Sequence, residues 1–493
     1  MPSKMSLPVQ DQLRQAGLEV LLPTDEGYTQ RQESYFSKTA SELTPACIVR
    51  ARSSADVSAT VRILSESDTP FAVRSGGHAP LVGSSNIGSE GVTLDLGLLN
   101  WTRVLVPTDP DQDEWQVDIG PGARWTDVYS TLEPHGLSVA GGREGGVGVG
   151  GLILGGGNTY FSASEGWACD NVLSFEIVLA PNGNIVVADG RAETADLFWA
   201  LKGGGNNFGV VTNFRMRGFR GRKNVWGGLR LMPWDTREVA ADALVDFTGG
   251  IKGEGNRDGN LLVFYMYRPE IPQNTVLAVF AQMAGAENAP AYEKFLGMPC
   301  LHTDVKKKSL ADMVGENTMP TGYFSIWFTG TFINDSRIVK HAASLHEKLV
   351  KTLKTTVAGD DGDFWALTLF QPLPKIIATA GRGRGGNALG VEYEHDGLIL
   401  QTTVMVRTAE QKVMAYPHCK KFLEDMREFA SCLDGRRDGN LPWEYVNYAD
   451  ATQNPLKSYG EENVRRLKEV ARKYDPTEVF QKLCKGGFKI SDV

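Results

Sequence analysis

An α+β fold in two domains is what this sequence predicts, and three observations carry the prediction. At 493 residues the chain exceeds what one hydrophobic core serves, because domains run near ~150 residues and at least two folding units are expected. Strand-like and helix-like runs mix without strict alternation, which favours helices laid over antiparallel sheet rather than a doubly wound parallel one. Glycine, with 55 residues or about 11% against a usual ~7%, is crowded into tight clusters before residue 225 and thins beyond it. That composition shift marks a boundary.

Taken in order, the elements are these. Behind Ser53 and Ser54, Val57, Val61 and Leu64 fall at i, i+4 and i+7, the opening of an amphipathic helix over 54–66. The period then changes. Phe71 to Arg74 reads as a short strand running into glycines, and the sets Val92, Leu94, Leu96 and Trp115, Val117, Ile119 alternate as half-buried strands do. Residues 125–133 read as a helix, whereas Gly141 to Gly157 holds too much glycine for one and is expected to be a loop with a binding or packing task. Two strand-like runs between Asn171 and Asp189 flank Pro181-Asn-Gly-Asn184, a strong hairpin signal. A short helix over Asp196 to Leu201 runs into Gly203-Gly-Gly205. Beyond 225, strands over Leu261–Tyr267, Val276–Met283, Tyr323–Phe332 and Leu398–Val406 mix with helices over Ser336–Leu353 and Ala409–Ala430. A last helical stripe, Val464, Leu467, Val470 and Ala471, stops before Pro476.

Composition narrows the function. The 51 basic and 59 acidic residues leave a net charge of -8, so neither a phosphate backbone nor an anionic lipid surface is favoured as partner. Six cysteines are scattered without a C-x-x-C, which indicates reduced thiols and no zinc site. Neither an apolar leader in the first 25 residues nor an apolar window of 18 is present, and a soluble, cytoplasmic protein is expected. The sequons at Asn100 and Asn334 are short enough to arise by chance. Nothing specifies an oligomer, and a monomer suffices.

The glycine clusters carry the chemistry. In Arg74-Ser75-Gly76-Gly77-His78-Ala-Pro-Leu-Val-Gly83 a strand runs into backbone able to turn sharply and aim several N–H groups at one anion, as a pyrophosphate requires. Gly146-x-Gly148-x-x-Gly151 formally fits a dinucleotide fingerprint, with Asp170 lying 19 residues on. Its setting is wrong, because Leu152-Ile-Leu-Gly155-Gly-Gly-Asn is a poor helix start. Walker, H-E-x-x-H and G-x-S-x-G motifs are all missing.

Six segments in one order resemble the vanillyl-alcohol oxidase / p-cresol methylhydroxylase (PCMH-type) flavoproteins, in their berberine bridge enzyme-like branch. They are RSGGH with Asp95-Leu96, VGVGGLILGGG from Val147, Gly166-Trp-Ala-Cys-Asp-Asn171, DLFWALKGGGNNFGVVT from Asp196, YVNYAD from Tyr445 and YDPTEVF from Tyr474. The resemblance implies an FAD-binding domain of two α+β subdomains over 1–225, a substrate domain with a helix-covered antiparallel sheet over 226–440, and a C-terminal segment, 441–493, that completes the first. It implies FAD held by Arg74, Ser75, Gly76, Gly77, Gly83, Val147, Gly148, Gly150, Gly151, Gly155, Asn207, Gly209, Val211 and Asn447. His78 stands where the family forms its histidyl bond to the flavin. Glu144 replaces the cysteine that makes a second bond in many relatives, so a single covalent link is expected. A carboxylate buried there could also act as a base.

The implied activity is oxidation of a small-molecule alcohol, amine or phenol, of the kind that secondary metabolism supplies, with hydride passing to FAD and then to O2 to give H2O2. Val147 stands at the position associated with oxygen access. Tyr448 is the expected base, and since a phenol titrates near ~10 it needs a partner. Glu392 and Glu394, on the run before the strand carrying Leu400, Gln401 and Thr402, are the candidate carboxylates. Two alternatives stay open: an oligosaccharide or hydroxy-acid oxidase on the same scaffold, and a non-redox FAD scaffold or cyclase, whose marker would be loss of His78.

Overall fold

Val92–Asp95 is buried at all four positions because it is an interior strand with neighbours on both edges. The computed structural model describes residues 7–106, 115–221, 223–251, 256–357, 363–391, 394–433 and 438–493. Val92–Asp95 runs parallel to Cys47–Arg50 and Phe71–Arg74, and Glu19–Leu21 adds an antiparallel edge. The alternation expected of Val92, Leu94 and Leu96 is therefore replaced by burial on both faces, the usual state of parallel strands. Helix Ser54–Glu66 lays Val57, Val61 and Leu64 on this core. Its cap is Ser53, whose Oγ accepts from the Asp56 N–H at 3.2 Å, a contribution of about 1 kcal/mol.

A second sheet is antiparallel and has Val210–Arg220 at its centre, between Trp115–Ile119 and Val172–Leu179. The hairpin signal holds: Val172–Leu179 pairs with Asn184–Asp189, closing at Leu179 opposite Asn184, with Gly183 at φ +72°. Within Gly141 to Gly157 the structure corrects the loop expectation, since Val149–Leu154 is a short helix. Packing overrides propensity there. Val149 and Ile153 are fully buried in the core of the second sheet, and the Gly150 N–H is satisfied by Ser75 Oγ at 3.2 Å. The strand before this segment, Leu137–Val139, lies antiparallel on Val210–Arg220, so no βαβ dinucleotide unit forms.

The third sheet is antiparallel throughout its pairings and has nine strands among the described residues. Its middle runs Ile271–Gln282, Gly259–Arg268, Phe364–Leu373, Gly397–Val406, Phe324–Ile333. Helices Arg237–Gly249, Ser336–Thr356 and Ala409–Ser431 cover one face through a shared apolar core that includes Leu244, Leu349 and Phe422. The other face turns Leu262, Phe264, Leu367 and Leu369 toward the glycine loops. The C-terminal segment returns to the first two sheets: Val479, Phe480 and Cys484 enter the core of the first, and Trp443, Tyr445 and Leu467 that of the second.

Candidate active site

Gly76 and Gly148 meet backbone to backbone. A Cβ on Gly76 would lie 2.6 Å from Gly148 Cα and N, and one on Gly148 would lie 2.5 Å from Gly76 Cα and N. Only glycine permits this crossing, which brings the first glycine loop against the second. Gly77, at φ +64°, then turns the chain so that His78 faces a cavity of about 360 Å³, within the range of small-molecule sites. Ser75, Gly76, Gly77, His78, Val147, Gly148, Gly150, Gly151, Gly155, Gly209, Val211, Asn447 and Tyr448 all line it, as does Glu144.

Several expected residues stand elsewhere. Arg74 is buried behind the loop, where its guanidinium lies 3.6 Å from the Tyr35 ring centre and donates to Ser34 Oγ at 2.8 Å. It props the loop and does not reach the cavity lining. Gly83 abuts Gly486, where an added Cβ would sit 1.7 Å from the Gly83 carbonyl oxygen, and so ties the first loop to the C-terminal segment. Asn207 is fully buried: it donates to the Gly204 and Phe488 carbonyls and accepts from the Ile490 N–H at 3.2 Å. Its neighbour Asn206 takes the place in the lining. Glu394 is exposed and does not line the cavity, because the run preceding Gly397–Val406 lies in solvent at that point. Glu392 lies outside the described residues. Of Leu400, Gln401 and Thr402, only Gln401 lines the cavity, while Leu400 belongs to the core under the helices.

Two charged residues from the glycine-rich stretch dominate the electrostatics. Glu144 Oε2 lies 3.5 Å from His78 Nε2, and its Oε1 accepts from the Met319 N–H at 3.2 Å. The His78 ring stacks on Phe36, centroids 4.1 Å apart and planes 19° from parallel, while Trp327 closes in at 6.4 Å. Nε2 is buried and makes no hydrogen bond. Arg143, only 7% exposed, reaches across the cavity to the amide oxygen of Gln371, to Asn260 Oδ1 and to Tyr448 Oη at 3.4 Å. Among the described residues no carboxylate pairs with it. A buried guanidinium with only neutral partners is expensive and favours a negative charge placed beside it.

Tyr448 sits on the turn Val446–Tyr448 and receives a second donor, Gln371 Nε2, at 3.3 Å. Its ring is held edge-on by Trp327 and Tyr445 at 6.1 and 4.7 Å. Asn447, beside it, donates to the Leu152 carbonyl at 3.1 Å, against Gly155, where a side chain would collide with it. Tyr448 thus lines the cavity, and its hydrogen-bond partners are a cation and an amide rather than the carboxylates sought on the sequence. Arg143 had one available signal, a charge among glycines. Gln371 had another, one of two polar residues, with Thr368, in the otherwise apolar strand Phe364–Leu373. The cradle of loops, the orphaned His78 nitrogen and the enclosed cavity suit an elongated, anionic cofactor with a planar head.

Known proteins agree with this construction. The model of the FAD binding domain matches residues 45–189, and that described as berberine and berberine like matches residues 444–482. FAD-dependent monooxygenase drtC of Aspergillus calidoustus is 37% identical over 482 residues, 97% of this chain and 88% of that protein. Bifunctional solanapyrone synthase of Alternaria solani is 32% identical, over 96% of this chain and 86% of its own. In fold, 6-hydroxy-D-nicotine oxidase of Arthrobacter nicotinovorans superposes with a TM-score of 0.74 at 21% identity, covering 97% of this chain and 98% of that one. The chain belongs to the berberine bridge enzyme-like FAD-linked oxidoreductases. It is an FAD-dependent enzyme with the two-domain PCMH-type fold, and among its described residues no helix is long and apolar enough to cross a membrane.

Proposed function

We propose that this oxidoreductase is an oxidase of an apolar small molecule, working through FAD attached to His78 alone. The observation that carries the reading is the convergence of Arg143 and Gln371 on Tyr448 Oη inside the cavity. As a phenolate, its charge balanced by the guanidinium and amide N–H already in place, Tyr448 takes the proton from a substrate hydroxyl, amine or phenol and becomes the neutral phenol. FAD, when bound, supplies the acceptor for the hydride leaving the adjacent carbon. Leu262, Phe264, Leu367, Leu369 and Met319 wall the space before Tyr448, so the substrate is largely hydrocarbon with few polar groups. Val147 lines the same space, in keeping with access for O2. Residues 1–225 and 441–493 serve the cofactor and 226–440 the substrate.

The name solanapyrone synthase, borne by one relative, supports a biosynthetic step on a secondary metabolite. The monooxygenase name borne by drtC raises a second outcome for oxygen, insertion into product. Intact mass and visible spectra of wild type and His78→Ala test the attachment: a wild-type mass raised by one FAD after denaturation, and no increase in the variant, is expected. Turnover under 18O2 then reads the fate of oxygen. Label in H2O2 alone fits the oxidase, and label in the product overturns it.

A further inference from the structure

Resting on the reading that His78 carries the flavin, we propose that Glu144 is the positioning residue that makes His78 the nucleophile for its own flavinylation, by holding the imidazole proton on Nε2 and leaving the Nδ1 lone pair to attack. Three observations carry this. Glu144 Oε2 is the carboxylate oxygen facing His78 Nε2, at 3.5 Å, and that buried nitrogen makes no hydrogen bond. The carboxylate is itself fixed, since its other oxygen accepts from the Met319 N–H at 3.2 Å. The imidazole cannot swing away, because Phe36 stacks on its face at 4.1 Å. Phe36 is anchored in turn: Ser37 bridges to Tyr323 of the third sheet, and the Lys38 N–H donates to the Tyr323 carbonyl at 2.8 Å. A carboxylate facing one imidazole nitrogen favours the tautomer protonated on that nitrogen, which leaves the other as acceptor.

The chemistry balances as follows. A bond forms between Nδ1 and the 8α-carbon of FAD. A C–H bond of the 8α-methyl breaks, its proton departs, and its electron pair passes into the isoalloxazine. The imidazole gives up its Nε2 proton toward Glu144. Dioxygen takes the electron pair and the two protons and leaves as H2O2, so the attached flavin is oxidised and the adduct weighs one FAD less two hydrogens. Glu144 thereby occupies the place of a second covalent link and serves the first.

The test uses the full chain purified from riboflavin-limited cells, mixed with FAD in air and sampled over time by intact mass under denaturing conditions. Glu144→Gln keeps an oxygen for the Met319 N–H and loses the charge. It is expected to form the adduct at least tenfold more slowly while binding FAD non-covalently as wild type does, with Glu144→Asp partly restoring the rate. Adduct formation by Glu144→Gln at the wild-type rate overturns the proposal. Should the glutamine variant fail to fold, NMR of the flavin peptide from wild type decides, since the flavin is expected on Nδ1 and attachment at Nε2 overturns the role of Glu144. An adduct on His78→Ala would instead sink the underlying attachment site, which separates that failure from this one.

Discussion

Tyr448 shows how much one side chain owes to its neighbours. A tyrosine alone is a poor base at neutral pH, and the role proposed for Tyr448 rests on donation from Arg143 at 3.4 Å and Gln371 at 3.3 Å. Tyr448→Phe should lower the rate of substrate-driven flavin reduction by about 10²–10⁴ with flavin content unchanged, measured by anaerobic stopped flow. Arg143→Met should cost a similar order, because among the described residues it removes the only Arg or Lys in the lining. His78 and Tyr448 were legible in the sequence, since each sits in a contiguous motif. Arg143 and Gln371 were not recognisable as partners, because they lie 228 residues apart and only folding brings them to one oxygen.

A residue on a covering helix, outside the cavity lining, gives stability a pH dependence. His346 is completely buried, Nδ1 against Thr368 Oγ1 at 3.0 Å, and burial pushes its imidazole from 6.5 down to about 3. With the folded value depressed, the unfolded chain binds the extra proton first, so this contribution to stability is intact above pH 6.5 and is lost as pH falls toward 3. At pH 5 the loss should reach about 2 kcal/mol. Thermal unfolding of His346→Asn between pH 7 and 5 should accordingly show a flatter pH dependence than wild type.

Among the elements, the glycine-rich stretch from 141 to 157 was readable as a functional segment but not as a helix. Propensity opposes a helix at Gly148-Val-Gly-Gly, yet the burial of Val149 and Ile153 and the Ser75 hydroxyl on the Gly150 N–H fix one. What the helix start must satisfy is the crossing with the first loop, where neither Gly76 nor Gly148 has room for a Cβ. Gly148→Ala should therefore separate the loops, giving soluble protein with far less bound flavin, read from the ratio of visible to ultraviolet absorbance, and a lower Tm. Full retention of flavin would show that the crossing does not govern the cradle. Strand Phe364–Leu373, buried along nearly its whole length, lacks the alternation that marks a half-buried strand. It was legible only once its sheet neighbours were known.

In the whole molecule the cavity exists because three sheets and the C-terminal segment close on it. Phe480, Gly487 and Phe488 line it from the last 15 residues, so the end of the chain is part of the site. Asp475 holds this end in place: its buried carboxylate accepts from the Val479 and Phe480 N–H groups at 2.9 and 2.8 Å. Asp475→Ala leaves two buried donors unsatisfied and should cost about 2–3 kcal/mol, measured by chemical denaturation, together with weaker flavin retention. The α+β class, the composition shift near residue 225 and the glycine loops, His78 and Tyr448 that line the cavity were legible in the sequence, because short-range periodicity and contiguous motifs record local backbone and local chemistry. Tertiary structure alone places Arg74 and Asn207 behind the cavity lining, Glu394 in solvent, and Arg143 and Glu144, from adjacent positions, against two different atoms, Tyr448 Oη and His78 Nε2. Those outcomes depend on which distant surfaces meet, and burial and charge pairing across such surfaces leave no periodic trace in a single chain.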